Sequence, residues 1–282
     1  MRPIGVNTWV WQSPLTDATL PALARRVADL GFDAIELPLE KVGDLTVAGV
    51  RAALDDTGLA PYVVGAMAPG RTLVAGTDEQ VAATQDYLRV CLDLASGIGA
   101  PSVCGPFYAE TGRCWRMDDA ERSRTYAEWR EHLSPVVDHA VDAGVAIGIE
   151  PLNRYETSLV NTVDQALTGL GDLLGEGCGL ALDTYHLHLE ERSSGDAVRA
   201  AGRHLVHVQA SGSDRGAPGG DQVDWQGLVA ALDEVGYDGA LNIESFTPDN
   251  DAIARAASIW RPLAASPDAL AADGLAHLRS LA

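Results

Sequence analysis

Residues 101–152 read PSVCGPFYAETGRCWRMDDAERSRTYAEWREHLSPVVDHAVDAGVAIGIEPL. Two short apolar runs, PSVCGPF (101–107) and VAIGIEPL (145–152), flank a long segment that begins at Asp118 and stops at Gly144. Runs of this length rich in Val and Ile read as strands, and a long polar–apolar segment closed by glycine reads as a helix. The charged stretch from Asp118 to His132 fits the solvated face of that helix better than a binding patch. The unit is therefore strand–helix–strand.

The same unit repeats on both sides. Further strand candidates are IGVNTWVW (4–11), DAIELPL (33–39), APYVVGAM (60–67), CGLALDT (178–184), LVHVQAS (205–211) and ALNIESF (240–246). Helical segments such as DATLPALARRVADLG and DEQVAATQDYLRVCLDLASGIG lie between them, several ending in glycine. Eight strands alternating with helices, with no linker or shift in composition, predict an α/β fold: a single (β/α)8 TIM barrel domain over 1–282. A doubly wound sheet is the competing topology, but the first strand–helix turn carries no GxGxxG.

Composition narrows the function classes. Hydrophobic residues make up 46% of the 282-residue chain and charged residues 21%, which suits a sizeable core. A formal net charge of −20 repels nucleic acid and anionic membrane alike. MRPIGVNTWVW at the start has no basic segment followed by an apolar run, and nowhere is there an apolar stretch long enough to span a bilayer. Cys91, Cys104, Cys114 and Cys178 are scattered without a CxxC pair, so neither a zinc ribbon nor a disulfide framework is expected. The expected compartment is the cytoplasm.

In such a barrel the chemistry sits at the C-terminal ends of the strands. Four consecutive strand ends carry oxygen donors or an imidazole: Glu150 in IGIEPLNRYE, Asp183 in LALDTYHLHLEE, His207 and Gln209 in LVHVQAS, and Glu244 in LNIESF. One acid at a strand end is accounted for by a helix cap or an arginine partner. Three carboxylates at one barrel mouth repel each other unless a positive charge lies between them. A divalent cation supplies it, and oxygen-rich ligation favours Mn²⁺ or Mg²⁺, with Co²⁺ acceptable. Gly148, Ala181 and Asn242, each two residues before an acid, share its strand face and leave room above for an ion and a substrate.

GFDAIELPLE, IEPLNRYETSLVNT, LDTYHLHLEE, DRGAPG followed by Trp225, and SIWRPLA resemble the ketose 3-epimerases typified by D-tagatose and D-allulose 3-epimerase. Those enzymes belong to the xylose-isomerase-like sugar isomerases and epimerases. The resemblance runs from the first strand to the last helix. It implies a metal held by Glu150, Asp183 and Glu244, with Glu150 and Glu244 doubling as the acid/base pair. It further implies that Glu156, His186 and Arg215 contact the sugar near its carbonyl end. It implies a sugar substrate, Mn²⁺ as the favoured ion, and a homo-oligomer, dimer or tetramer.

One strand departs from the pattern. Those epimerases have HxH followed by TGE, with the second histidine on the metal, whereas this chain has HVQAS, with Gln209 at that position. The related hydroxypyruvate isomerases carry HVQ there, and that resemblance implies the glutamine as ligand. A glutamine carbonyl is a neutral hard donor suited to Mn²⁺ or Mg²⁺. A slip of two residues makes His207 the ligand instead, so the fourth ligand is Gln209 or His207. Trp9, Trp11, Phe107, Tyr108 and Trp115 are candidates for the pocket wall. The chemistry expected is C3 epimerisation of a free ketose through an enediolate. Aldose–ketose or hydroxypyruvate-type isomerisation and an inosose or keto-glycoside lyase are the alternatives on the same barrel, and a non-catalytic sugar-binding barrel is the non-enzyme one. DRGAPGG matches neither a P-loop nor a Rossmann turn and reads as a substrate loop.

Overall fold

The strands that the apolar runs mark out are each too short to bury both faces alone, and in the computed structural model, which describes residues 2–281, they close on one another. They are β1 (Ile4–Asn7), β2 (Ala34–Leu39), β3 (Ala60–Gly65), β4 (Ser102–Gly105), β5 (Ala146–Ile149), β6 (Cys178–Asp183), β7 (Leu205–Ala210) and β8 (Leu241–Ile243). The order is sequential around a closed barrel, every pair is parallel, and Gly5 of β1 registers with Asn242 of β8 to seal it. This is the (β/α)8 barrel that the alternation predicts.

The outer ring consists of α1 (Leu20–Asp29), α2 (Val47–Leu54), α3 (Asp78–Ile98), α4 (Asp119–Ala143), α5 (Val163–Leu170), α6 (Thr184–Glu190), α7 (Ser194–Ala201), α8 (Trp225–Glu234), α9 (Asp251–Ala256) and α10 (Pro267–Ser280). Local chemistry sets the ends. Thr77 and Gln80 form a reciprocal capping box on α3, and Asp118 accepts from the Glu121 amide to start α4. Gly144, at φ 66°, closes α4 in the left-handed conformation that a Cβ disfavours. Trp129 of α4 is fully buried and donates its indole N–H to the Phe107 carbonyl at 2.9 Å, tying the helix to the loop beyond β4.

The strands stop short of the apolar runs that announce them. β1 ends at Asn7, not at residue 11, because the Asn7 side chain accepts from the Trp9 amide at 2.9 Å and opens a 3₁₀ turn over Thr8–Val10. β5 ends at Ile149 rather than 152, where Pro151 has no N–H for the ladder, and β8 ends at Ile243 rather than 246. As a result Glu150 and Glu244 lie one residue beyond the last ladder position, and Asp183 is the final residue of β6. All three stand at the same rim of the barrel.

Candidate active site

Glu150, Asp183 and Glu244 are buried, at 4%, 1% and 5% exposure, so their charges are held away from water. Backbone contacts fix each one. The Glu150 amide donates to the Gly105 carbonyl at 3.0 Å and its own carbonyl accepts from the Tyr108 hydroxyl at 3.1 Å. The Glu244 amide donates to Ala210 at the end of β7, at 3.1 Å. Asp183 divides its two oxygens: Oδ1 caps α6 by accepting from the Tyr185 amide at 2.9 Å, and Oδ2 faces Arg215 and His186. The helix-cap role and the site role therefore coexist in one side chain.

Arg215 enters from the loop after β7 with φ at 66°, an uncommon conformation for a side chain of this size. Its guanidinium lies against Tyr185 (4.1 Å to the ring centre) and Phe246 (5.0 Å). Nη1 bonds to Asp183 Oδ2 and lies 3.2 Å from Glu244 Oε2, while Nη2 is 2.8 Å from His186 Nε2. His186 Nδ1 accepts the Asn153 backbone N–H at 2.9 Å, which leaves the ring proton on Nε2. That N–H faces Glu150 Oε1 at 3.5 Å and Asp183 Oδ2 at 3.8 Å. Glu156 is half-buried and accepts from Asn153 Nδ2 at 2.7 Å, so Asn153 couples it to His186.

The electrostatics follow from burial. Desolvation, then the charges of Glu244 and Asp183, push the Glu150 carboxyl well above the usual carboxylate range. Desolvation likewise raises Glu244 well above it and raises Asp183, with Arg215 offsetting part of each. Burial, helped by Arg215, drives His186 well below the usual imidazole range, so it stays neutral. Burial alone would lower the Arg215 pKa, but Asp183 and Glu244 outweigh it and raise it. One guanidinium does not neutralise three buried carboxylates.

The donor set fits a divalent cation. Ligand atoms from Glu150, Asp183 and His186 lie within 4.8 Å of one another. The carbonyl Oε1 of Gln209 is buried and has no hydrogen-bond partner, while its Nε2 donates to Glu244 Oε1 at 2.9 Å. Three carboxylates and an unpaired amide oxygen make an oxygen-rich set for a hard ion. His207 sits differently: its Nε2 is 2.6 Å from Glu36 Oε1, one strand layer below the rim.

Glu36 is the site residue that sequence reasoning missed. It lies in the middle of β2 at 0% exposure and gathers Asn7, His207 and Gln209 around its carboxylate. The available signal was an acid in AIELPL with apolar neighbours on both sides, in a sheet where both faces are covered. Two of the candidate wall residues also brace the loop beyond β4. Phe107 and Tyr108 are fully buried, and Tyr108 packs edge-on against Trp129 at 5.7 Å. Trp115 is half-buried beyond β4, held by its amide to Ser158 Oγ at 2.8 Å. The Trp9 and Trp11 indoles donate to Glu40 and Asp268 at 2.9 and 2.8 Å.

Known proteins match this chain over nearly its whole length. The sequence profile of the xylose isomerase-like TIM barrel family matches residues 24–281. A ketose 3-epimerase of Arthrobacter globiformis is 30% identical over 281 residues, covering 98% of this chain and 95% of that protein. A solved L-ribulose 3-epimerase superposes with a TM-score of 0.89 at 27% identity, covering 100% of this chain and 96% of the other. A D-allulose 3-epimerase from Methylomonas sp., solved in complex with D-allulose, superposes at 0.87 and 27% identity, covering 100% and 98%. With the barrel, the rim carboxylates and these likenesses in agreement, the chain belongs to the xylose isomerase-like TIM barrel family, in its ketose 3-epimerase branch.

Proposed function

We propose that the chain epimerises a free ketose at C3 with one bound divalent cation, Mn²⁺ in preference to Mg²⁺ or Co²⁺. The observation that carries this is the convergence of buried Glu150, Asp183 and Glu244 with the unpaired Gln209 oxygen. Glu150, Asp183, Gln209 and Glu244 would hold the ion. Bound there, it supplies the positive charge that acidifies the carbon next to a carbonyl and stabilises an enediolate.

The chain's own residues do the rest. Epimerisation at C3 removes a proton from one face and returns one to the other. Glu150 follows β5 and Glu244 follows β8, so the two carboxyls approach from different sides of the mouth. Two carboxyls placed in this way can alternate, one accepting a proton while the other delivers one. His186 Nε2–H and Arg215 Nη2 are two donors 2.8 Å apart, and a sugar oxygen facing both from the side of the mouth gives both an acceptor. Glu156, coupled to His186 through Asn153, extends that contact towards a hydroxyl.

A free sugar rather than a sugar phosphate is supported by the net charge of −20. A reducing, cytoplasmic setting is supported by the four free cysteines, three of them buried. No helix among the described residues is long and apolar enough to cross a membrane. A homo-oligomer is part of the same reading. Gln209 in place of histidine favours a second reading, isomerisation of a hydroxypyruvate-like substrate. Metal-stripped protein given Mn²⁺ and offered D-fructose, D-tagatose, D-allulose or hydroxypyruvate separates them. The proposal expects interconversion of C3-epimeric ketoses that is lost with chelator. Conversion of hydroxypyruvate with no ketose turned over contradicts it.

A further inference from the structure

We infer that Glu36 is a positioning residue that orients the Gln209 amide, so that its carbonyl oxygen and not its NH₂ meets the cation. The inference rests on the metal reading above and assigns a role to a side chain that touches neither substrate nor ion. A carboxylate at 0% exposure needs donors, and Glu36 has four, the weakest being the Cys104 thiol, with Sγ 3.9 Å from Oε1. Asn7 Nδ2 donates to Oε2 at 2.6 Å, Gln209 Nε2 donates to the same oxygen at 3.0 Å, and His207 Nε2 donates to Oε1 at 2.6 Å.

A glutamine amide is nearly symmetric in shape, and unsupported it presents nitrogen as readily as oxygen. An ionised carboxylate only accepts hydrogen bonds, so the atom of Gln209 that faces Glu36 has to be the donor. Its second N–H is taken by Glu244 Oε1 at 2.9 Å. Flipping the amide would set its oxygen against two carboxylate oxygens at those distances. The unflipped amide leaves Oε1 buried and unpartnered, ready for a cation.

The same carboxylate explains His207. With Nε2–H given to Glu36, the only other ring nitrogen, Nδ1, is buried without a partner, and the ring is tilted against Tyr62 at 5.4 Å. His207 thus helps hold Glu36, which in turn holds the ligand amide. Carboxylates behind metal ligands act in this way in other sites, where their loss costs about 10–100-fold in metal affinity.

The test is Mn²⁺ binding to the full chain, read from the electron paramagnetic resonance of the free ion, in a double-mutant cycle. Glu36→Gln keeps the shape but faces Gln209 with an amide. It is expected to weaken Mn²⁺ binding about 10–100-fold in the native background. In the Gln209→Ala background the same change should shift binding by no more than about twofold. Equal losses in both backgrounds, or none in the first, overturn the proposal while leaving the metal site intact. A native chain that leaves all Mn²⁺ free overturns the metal reading and this inference with it. Should Glu36→Gln fail to fold, the side-chain amide of Gln209 in the Mg²⁺-loaded native chain carries the test by ¹⁵N–¹H spectroscopy, with Gln209→Ala identifying the signal. Slowly exchanging amide protons support the assignment, and fast exchange of both overturns it.

Discussion

Replacing Gln209 by histidine exchanges a hard amide oxygen for an imidazole nitrogen without changing charge. On the proposed ligation the Gln209→His enzyme keeps ketose turnover and gains affinity for Co²⁺ relative to Mg²⁺, measurable by competition binding. Gln209→Ala should instead lose metal affinity, and unchanged affinity would return the ligand role to His207. Glu150→Gln and Glu244→Gln, assayed at saturating Mn²⁺, should each lower kcat about 10²–10⁴-fold, as loss of a proton-transfer group does. The three rim carboxylates stood out in the sequence because each ends an apolar run, where an acid has no bland explanation repeated three times. Glu36 did not stand out. It sits inside a strand, and whether a mid-strand acid points to water or to a neighbouring strand's histidine depends on barrel closure, which no local pattern encodes.

Among the elements, the rim depends on β4 ending flat. Gly105 has φ 152°, and a Cβ there would stand 2.6 Å from the Gly65 carbonyl and 2.8 Å from the Phe107 ring. Its carbonyl accepts both the Glu150 and the Phe107 amides at 3.0 Å. Gly105→Ala should therefore destabilise the fold by ~1–3 kcal/mol in a denaturant titration, the range for forced overpacking. It should also lower kcat by displacing Glu150. Normal stability together with normal kcat would show that β4 does not position the acid. The order and type of the elements were readable from apolar runs and closing glycines, but strand ends were not. WVW after Asn7 and PL after Glu150 look as strand-like as what precedes them. A side-chain cap at Asn7 and the missing N–H of Pro151 end the ladders, and both are local features that hydrophobicity alone does not register.

For the whole molecule, the cost of the site appears as a pH-dependent stability. Glu150, Asp183 and Glu244 have folded-state pKa values raised above the ordinary carboxylate range, chiefly by burial. The folded chain then holds more protons than the unfolded chain between the ordinary and the raised values, so metal-free stability falls as pH climbs through that window. A bound cation favours the charged carboxylates and should reverse the loss, so the rise in Tm on adding Mn²⁺ should be larger at about pH 8 than at about pH 6. A rise in Tm that does not vary with pH would mean that these carboxyls are not what the ion meets. The reaction itself is read from the position of exchange. Ketose recovered from the Mn²⁺-loaded enzyme in deuterium oxide should carry deuterium at C3 and, as the epimer forms, in both epimers. Deuterium at C1 alone, or epimer formed with no solvent deuterium, would contradict proton transfer at C3 by Glu150 and Glu244.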